Sequence, residues 1–405
     1  MRLLYLTSLY SAYVRSFYAA RPGLASASYD EQMAAFDQHA FAWVGAWPGA
    51  LAPHGVEVRE VLCNVPPLQR AWAAPRNAAL AAGADLDAIA VAQVAEYAPD
   101  VLFVDHADGA LLRRIKQAAP ALRLTIGWVG GTVPESEVPR DFDLVLSCAP
   151  ESVQWLRSRG YRSELLQHAF NDKVLPFIAE RPKRHDLAFF GQIVTHSAFH
   201  RNREVTFERL VDAGLPLEIF SPSHAFGWRD DWRALKRIGA WHAAQGLQAA
   251  GLPVAAMSRL PWIGPAASWR QKPARPVSAK LRPHLRPALF GLDMYQAIAD
   301  SRGVLNVHAD ASTAFASNMR LFETAGAGGC LVTDWKENLK ELFEPDREVV
   351  TFRSIEECVE KSAWLLAHPA EAARIGRAAR ARAVREHSFA RRAEVLLGYL
   401  RAAWR

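Results

Sequence analysis

The strongest constraint on this 405-residue chain is an alternation of short apolar runs with alanine-rich helical stretches. In the first half, helical patterns such as 31–53 and 83–97 separate the apolar runs. The runs predict strands at 2–7, 56–62, 101–105, 122–129 and 143–147. Strands that alternate with helices are joined by right-handed crossovers into a parallel sheet with helices on both faces. The first half therefore predicts one doubly wound α/β unit.

The same alternation restarts after residue 170, which predicts a second unit of the same class. Its strands are predicted at 185–191, 217–220, 303–308, 330–333 and 348–352. Prolines and charges mark 171–186 as a linker, and the least regular part, 221–287, is rich in Trp, Pro and Arg and is interpreted as an elaboration. We therefore divide the chain into a first domain (1–170), a second domain (187–385) and a C-terminal helix (386–405) that can cross back to the first domain.

Composition limits the kind of protein this is. Half of the residues are hydrophobic and 22% are charged, as in folded proteins. No apolar run reaches the length of a membrane span, and the N-terminal apolar run is interrupted early by polar residues, so it is interpreted as a strand rather than a signal peptide. The four cysteines lie far apart, which favours reduced thiols. These observations predict a cytoplasmic protein.

The charge balance points to anionic ligands. The net charge of +6 suits phosphates or an anionic membrane surface. Nucleic acid is not favoured, because zinc-finger spacing and basic–aromatic arrays are missing from the sequence. Arginines recur at near-helical spacing in the amphipathic C-terminal stretch: Arg374, Arg377, Arg380, Arg382 and Arg385. They form either a solvated helix face or a surface for a lipid-linked acceptor, which is compatible with peripheral contact at the inner face of the membrane.

The stretch SNMRLFETAGAGGCLVTD (317–334) carries the clearest functional signal. Ligands of open parallel sheets bind beyond the carboxyl ends of the strands, and the predicted strand 303–308 ends there at His308. Arg320 and Glu323 are three residues apart and share one helix face. The helix is predicted to end at Gly326 with a left-handed cap, and the glycines Gly326, Gly328 and Gly329 would let backbone approach a ligand. Spacing alone leaves a surface ion pair and a simple turn equally open.

The pattern N-x-R-x-F-E is met by Asn318, Arg320, Phe322 and Glu323. With the segments 289–308, 339–352 and 385–397, it resembles the C-terminal half of CgeB-like glycosyltransferases, which belong to the GT-B superfamily. Further segments are similar to the N-terminal half and to the opening of the second domain: 4–18, 101–109 and 186–193. The resemblance implies two doubly wound Rossmann-like domains that face each other across a cleft, and sugar transfer from a nucleotide donor.

The resemblance also implies roles for individual residues on the donor side. Glu323 would accept hydrogen bonds from the ribose hydroxyls, and Asn318 belongs to the same motif. Arg320 would lie by the diphosphate or bridge to Glu323. Either Arg201 or Arg203, with the amides of a helix N-terminus, would neutralise the departing diphosphate without a metal. His308 either touches the donor or is a packing histidine.

The catalytic group is expected from the first domain, at the end of the strand 101–105. His106 and Asp105 are the candidates for a base that deprotonates the acceptor, although an enzyme that retains configuration needs no such base. The Asp-x-Asp pattern at 141–143 precedes a strand and is interpreted as a chance match to a metal site. Asp334 is predicted to be a helix N-cap. No metal and no bound cofactor are expected.

The sequence thus predicts a metal-independent glycosyltransferase that moves a sugar from a nucleoside diphosphate to a glycan, a lipid-linked acceptor or a protein. An epimerase or hydrolase acting on nucleotide sugars, and a silent binding module on the same fold, remain alternatives. The donor base, the sugar, the acceptor, the stereochemical outcome and the oligomeric state stay open.

Overall fold

A computed structural model describes residues 1–105, 109–130, 138–193, 201–222, 228–269, 272–273, 277–308 and 314–404. In the described part of the chain the strands form two six-stranded parallel sheets, one in each half of the sequence. The order of the first sheet is β2-β1-β3-β4-β5-β6, with strands β1 (Arg2–Thr7), β2 (Glu57–Leu62), β3 (Val101–Asp105), β4 (Leu124–Val129), β5 (Leu144–Ser147) and β6 (Ser163–Leu165).

The second sheet has the order β12-β11-β10-β7-β8-β9. Its strands are β7 (His185–Phe190), β8 (Leu217–Phe220), β9 (Leu285–Arg286), β10 (Ser301–Asn306), β11 (Leu331–Asp334) and β12 (Val350–Phe352). β6 and β9, of three and two residues, are absent from the prediction, whereas β12, also of three residues, was predicted. The strands of both sheets are formed by apolar runs and are buried on both faces, because helices cover each sheet on its two sides.

Helices cover the faces of both sheets. In the first domain they are α1 (Ser11–Ala19), α2 (Tyr29–His39), α3 (Ala46–Leu51), α4 (Pro66–Ala73), α5 (Ala78–Ala82), α6 (Leu86–Tyr97), α7 (Gly109–Ala118) and α8 (Pro150–Ser158). In the remainder they are α9 (Arg201–Asp212), α10 (Trp228–Ala249), α11 (Val254–Met257), α12 (Gly291–Ala299), α13 (Met319–Gly326), α14 (Leu339–Leu342), α15 (Ile355–Ala367), α16 (Pro369–Glu386) and α17 (Phe389–Ala403). Among the described residues, none of these helices combines the length and the apolar character needed to cross a bilayer.

The helix predicted at 31–53 is two helices. A capping box between Ser28 and Glu31 begins α2, and Ala40 ends it in the left-handed conformation, with φ of 51°. The chain then turns through Gly45, also left-handed, into α3. Alanine rarely adopts the left-handed conformation, so the alanine-rich composition of 31–53 had favoured one continuous helix.

The chain crosses between the two halves at residue 170 and returns after α16. The two crossings are joined, because the Phe170 amide donates to the His387 carbonyl at 2.8 Å. Beyond this point α17 buries Leu396 and Leu400 in the core of the first sheet, beside Leu3. The guanidinium of Arg392 reinforces the return by donating to the backbone of residues 167 and 168. The C-terminal helix is therefore part of the first domain's packing.

Candidate active site

Contacts from the loops after β1, β5 and β10 bring the carboxyl ends of the two sheets towards each other. The Phe315 amide, in the second half, donates to the Glu151 carboxylate of α8 at 3.0 Å. Phe290, just before α12, packs its ring against Tyr13 of α1 at 5.3 Å between centroids. Met319, the first residue of α13, packs against the core of the first sheet. The start of α13 therefore lies in the cleft between the two domains.

Arg320 and Glu323 form a buried ion pair in the first two turns of α13. Arg320 Nη1 lies 2.7 Å from Glu323 Oε2, and Arg320 Nε donates to the Phe190 carbonyl at the end of β7, 3.1 Å away. Glu323 is 3% exposed, and its Oε1 accepts from the Tyr295 hydroxyl at 3.3 Å. The surface ion pair that the spacing had left open is thus excluded. Of the two positions implied for Arg320, the structure shows the bridge to Glu323.

Tyr10 links this pair to the first domain. It immediately precedes α1, and 69% of its surface is exposed, so it borders the cleft rather than filling a core. Surrounding protein raises the pKa of its phenol, while Arg320 acts in the opposite direction and Glu323 and Asp105 add to the rise. Tyr10 is therefore within electrostatic range of charged groups from both domains. Nothing in the sequence distinguished it, since its position depends on how the domains meet.

His308 and Asp334 form a second polar pair, at the ends of β10 and β11. Asp334 Oδ1 accepts from the His308 amide at 3.0 Å and lies 2.7 Å from His308 Nδ1. Burial alone would raise the pKa of Asp334, but the bond and charge of His308, together with Lys336, lower it to about 2. The prediction that Asp334 caps a helix is wrong: it ends β11, and the next helix begins at Leu339 without a side-chain cap. Within the described part of the chain, the buried His308 Nε2 has no hydrogen-bond partner.

Asn318 links the start of α13 to the second sheet. It is the N-cap residue of α13, but its side chain does not cap the helix. Its Nδ2 instead donates to Asn306 Oδ1 at 2.6 Å, and Asn306 Nδ2 donates to Thr333 Oγ1 at 2.9 Å. A chain of buried amides thus runs from the start of α13 across β10 to β11. Such networks fix the orientation of the groups they contain.

The three glycines of the motif pack against protein, not against the cleft. A Cβ on Gly326 would lie 2.1 Å from the Phe170 ring, and one on Gly329 would lie 2.8 Å from Ile298. The left-handed glycine is Gly328, with φ of 81°, two residues after the predicted cap at Gly326. A Cβ on Gly376 of α16 would lie 2.4 Å from the Gly328 carbonyl oxygen. The cluster therefore allows α13, β11 and α16 to approach closely.

Arg203, in the first turn of α9, donates to two backbone carbonyls. Its Nε donates to the Val307 carbonyl at 2.8 Å and its Nη1 to the Gln192 carbonyl at 2.9 Å. It thus ties together the loops that leave β7 and β10, at the carboxyl edge of the second sheet. Arg201 is the first residue of α9 and is exposed.

Asp105 lies at the carboxyl end of β3 and accepts hydrogen bonds from its neighbours on β1. The donors are the Tyr5 hydroxyl at 2.9 Å, the Thr7 hydroxyl at 2.6 Å and the Ser8 amide at 3.1 Å. Three donors hold the carboxylate in one orientation. The other predicted catalytic residue, His106, lies outside the described residues.

The Asp-x-Asp pattern also has structural partners. Asp143 accepts from the Thr125 amide at 2.7 Å and from the Thr125 hydroxyl at 2.6 Å, and Asp141 lies 3.9 Å from Arg113. In the portion of the chain that the structure covers, His, Cys, Asp and Glu side chains form no group of three that could hold a metal ion.

Comparison with known proteins agrees with this geometry. Residues 207–398 match the family described as Glycosyl transferase-like. The matched region includes α13 with Arg320 and Glu323, together with His308 and Asp334. The chain therefore contains a glycosyl transferase-like domain, although the CgeB-like subfamily itself is not identified by this match. No curated protein sequence matches the chain significantly.

Solved structures resemble the whole chain at low sequence identity. Sucrose-phosphate synthase from Thermosynechococcus elongatus is 11% identical, with a TM-score of 0.50 and 99% of each chain covered. HepE of Anabaena, solved with UDP-glucose, is 12% identical with a TM-score of 0.50 over 99% of this chain and 100% of its own. AviGT4, a glycosyltransferase of avilamycin A biosynthesis, is 12% identical with a TM-score of 0.51 over 99% and 98%. The fold is thus the two-domain α/β GT-B fold, as predicted.

Proposed function

We propose that the chain is a metal-independent glycosyltransferase that transfers a sugar from a nucleoside diphosphate donor to a glycan, a lipid-linked acceptor or a protein. The observation that carries this proposal is the buried Arg320–Glu323 pair in the cleft of a GT-B fold, inside a region that matches a glycosyl transferase-like family. The neighbour HepE, solved with UDP-glucose, makes a uridine nucleotide the first donor to test.

Glu323 suits the role of a ribose clamp. Each carboxylate oxygen can accept more than one hydrogen bond, so the bonds from Arg320 and Tyr295 leave acceptor capacity for a vicinal diol. Arg320 and Tyr295 hold the carboxylate in one orientation, which lowers the entropic cost of binding. A hydrogen bond to such a charged group in a largely water-free site discriminates strongly against a ligand that lacks the hydroxyl.

The phosphate side of the donor site is assigned to the neighbouring strand ends. Arg203 and His308 lie at the carboxyl edge of the second sheet, where β7 and β10 end. Asp334 orients the His308 ring, and a histidine so held can direct its other nitrogen to a phosphate or sugar oxygen. Charge-assisted contacts of this kind stabilise the departing diphosphate as the glycosidic bond breaks.

The acceptor side is assigned to the first domain. Tyr10 and Asp105 border the cleft opposite Glu323. Asp105 is held in place by three donors from β1 and the residue after it, and deprotonation of the acceptor is assigned to His106, the next residue.

The clamp is tested by measuring the affinity for UDP and for 2′-deoxy-UDP by calorimetry, in the parent and in Glu323→Gln. A hydrogen bond to a charged group contributes about 1.5–3 kcal/mol, so Glu323→Gln is expected to weaken UDP binding by about 10- to 150-fold. The parent should prefer UDP over its deoxy form, and the variant should lose that preference. GDP and its deoxy form are measured in parallel.

Glu360→Gln, an exposed glutamate of α15, is the matched control and is expected to bind like the parent. If Glu323→Gln keeps both the affinity and the preference for the 2′-hydroxyl, Glu323 is not the clamp. Incubation of the parent with UDP-sugars, followed by mass spectrometry of the products, then tests transfer itself.

A further inference from the structure

The segment inserted between β8 and β9 has a charge distribution unlike the rest of the chain. Residues 221–284, between the two strands, contain ten Lys and Arg and two Asp, a net charge of +8, whereas the whole chain carries a net charge of only +6. The remainder of the protein is therefore slightly net negative. One of the two acidic residues of the insertion, Asp231, is paired with Arg282. Within an otherwise slightly acidic protein, this insertion forms one strongly basic region.

The insertion buries a cluster of alanines while several of its large apolar side chains are exposed. Its own core is formed by Ala240, Ala244 and Ala266, through which α10 packs on the turn at 264–268. By contrast Trp232, Leu235 and Trp262 are 56%, 55% and 58% exposed. Other large apolar side chains exposed in the same segment are Leu252, Val254 and Leu260. A helical hairpin adapted to water alone would have the opposite arrangement, and exposed apolar clusters of this kind mark interaction surfaces.

Three of the exposed apolar residues, Trp232, Leu235 and Trp262, belong to one face. Trp232, Leu235 and Gly239 follow one another at helical spacing on α10, and the Trp262 ring lies 3.7 Å from the position of a Cβ on Gly239. Trp262 therefore extends the stripe begun by Trp232 and Leu235. Lys236 stands beside it, with its ammonium 5.2 Å from the Trp232 ring centre. Aromatic and aliphatic groups with basic side chains next to them are the composition of interfacial membrane helices.

We propose that the segment 228–269 docks the protein on the surface of an anionic phospholipid bilayer. The apolar stripe of Trp232, Leu235 and Trp262 enters the interfacial region, where tryptophan is favoured. Lys236 and Arg259 contact the lipid phosphates. The chain enters the insertion from the carboxyl end of β8, the edge of the sheet that carries the proposed donor site. The inference does not depend on the proposed reaction.

Charge and shape favour a bilayer over two other partners. A second copy of the chain would bring two strongly basic segments together, which is electrostatically unfavourable. Single-stranded nucleic acid stacks on aromatic rings, but aliphatic groups such as Leu235 and Val254 offer its bases no comparable contact. The arginines of α16, interpreted above as a possible surface for a lipid-linked acceptor, are partly paired: Arg374 with Glu371, and Arg382 and Arg385 with Glu386. Unlike the insertion, α16, which is described over its whole length, exposes no large apolar side chain beside its arginines.

The test is flotation of the full chain with vesicles of phosphatidylcholine alone or mixed with phosphatidylglycerol. The parent is expected to bind only the anionic vesicles. Lys236→Gln combined with Arg259→Gln should weaken this binding by about 30-fold at low salt, the loss expected for two basic side chains at an anionic surface. Trp232→Ser combined with Leu235→Ser should weaken it by more than about 10-fold, since two interfacial anchors are removed. All four side chains are exposed or carry exposed heads, so both variants should fold, which circular dichroism checks.

Arg374→Gln combined with Arg377→Gln removes the same charge from α16 and is the matched control, expected to bind like the parent. Quenching of tryptophan fluorescence by brominated lipid, lost in a variant with Trp232→Phe and Trp262→Phe, would place these rings in the bilayer.

The proposal is overturned if the parent does not float with anionic vesicles, or if only the α16 variant loses binding. It is also overturned if the same side chains instead govern binding of a labelled oligonucleotide or self-association measured by light scattering. UDP affinity in solution should be unchanged in every insertion variant, which separates this proposal from the catalytic one.

Discussion

Removal of Arg320 is the most direct test of the site's physical basis, because it isolates a buried charge. In Arg320→Met the Glu323 carboxylate, 3% exposed, keeps a single partner, the Tyr295 hydroxyl at 3.3 Å. Removing one member of a buried ion pair costs about 3–5 kcal/mol. For a domain of about 200 residues, this corresponds to a fall in melting temperature of roughly 6–20 °C.

Removal of the Glu323 charge should lower the free energy of unfolding by less than removal of Arg320. Glu323→Gln keeps an acceptor for Tyr295, and Arg320, whose side chain is 21% exposed, still donates to the Phe190 carbonyl. Its cost is expected to be about 1–3 kcal/mol. In the double variant no buried charge is left unpaired, so it should be no less stable than Arg320→Met alone. The coupling energy in this cycle should then be about 1–3 kcal/mol.

Urea unfolding without nucleotide measures these free energies, followed by fluorescence and circular dichroism. The chain offers a matched control in Arg347, which pairs with Glu344 at the same spacing of three residues but with 68% and 55% of the two side chains exposed. Arg347→Met should cost no more than about 0.5 kcal/mol. If Arg320→Met costs as little as this control, or if the two changes at Arg320 and Glu323 are additive, then the carboxylate is adequately solvated and the argument for a preorganised clamp fails.

Two further predictions concern stability. Glu60 is buried in β2, and burial raises the pKa of its carboxyl to about 8 even though the Gly45 amide donates a hydrogen bond to it. The folded state therefore keeps a proton that the unfolded chain releases once the pH exceeds the ordinary pKa of a glutamate. The free energy of unfolding thus falls as the pH rises from about 4.5 to 8, by at most about 5 kcal/mol. Glu60→Gln should remove this dependence on pH and be the more stable protein at pH 8.5. The free energy of unfolding is measured with urea at pH 6 and at pH 8.5. If it changes by the same amount in both proteins, the assignment is contradicted. Gly326→Ala should destabilise the folded protein by about 1–3 kcal/mol or more, because the new Cβ would meet the Phe170 ring. Gly398→Ala in α17 is the control, since nothing lies within 4 Å of its new Cβ. In thermal unfolding it should be neutral or stabilising by up to about 1 kcal/mol.

All ten predicted strands are present in the structure, and β8 agrees at both ends although it has only four residues. β1 and β3 agree at both ends, because a strand buried on both faces must be apolar throughout. β6 and β9 have three and two residues, too few for any periodicity. The break between α2 and α3 was missed for a different reason, since it depends on a left-handed Ala40 that tertiary packing imposes against local preference.

The motif predicted the partners Arg320 and Glu323, but not the function of the glycines that follow. A glycine is required wherever backbone or side chains approach closely, and the sequence does not say whether the approaching group is a ligand or a helix. Gly326 meets Phe170 and Gly328 meets α16, contacts between residues far apart in the chain. The same limit applies to Asp334, which local spacing had made a helix cap. Its actual partner, His308, lies on a neighbouring strand.

Tyr10 shows why such contacts matter for function as well as for folding. It belongs to the first domain, yet its phenol experiences the charges of Arg320 and Glu323 in the second. The two domains are connected where the chain crosses, at Phe170 and again at Ser388, and these crossings pair with each other. Any change in the angle between the domains at this point alters the distance from Tyr10 to Glu323 while leaving the Arg320–Glu323 pair, carried wholly by α13, intact. A ligand that bridges the two sides would therefore favour one domain angle in proportion to its contacts with both, while the clamp itself would stay preformed.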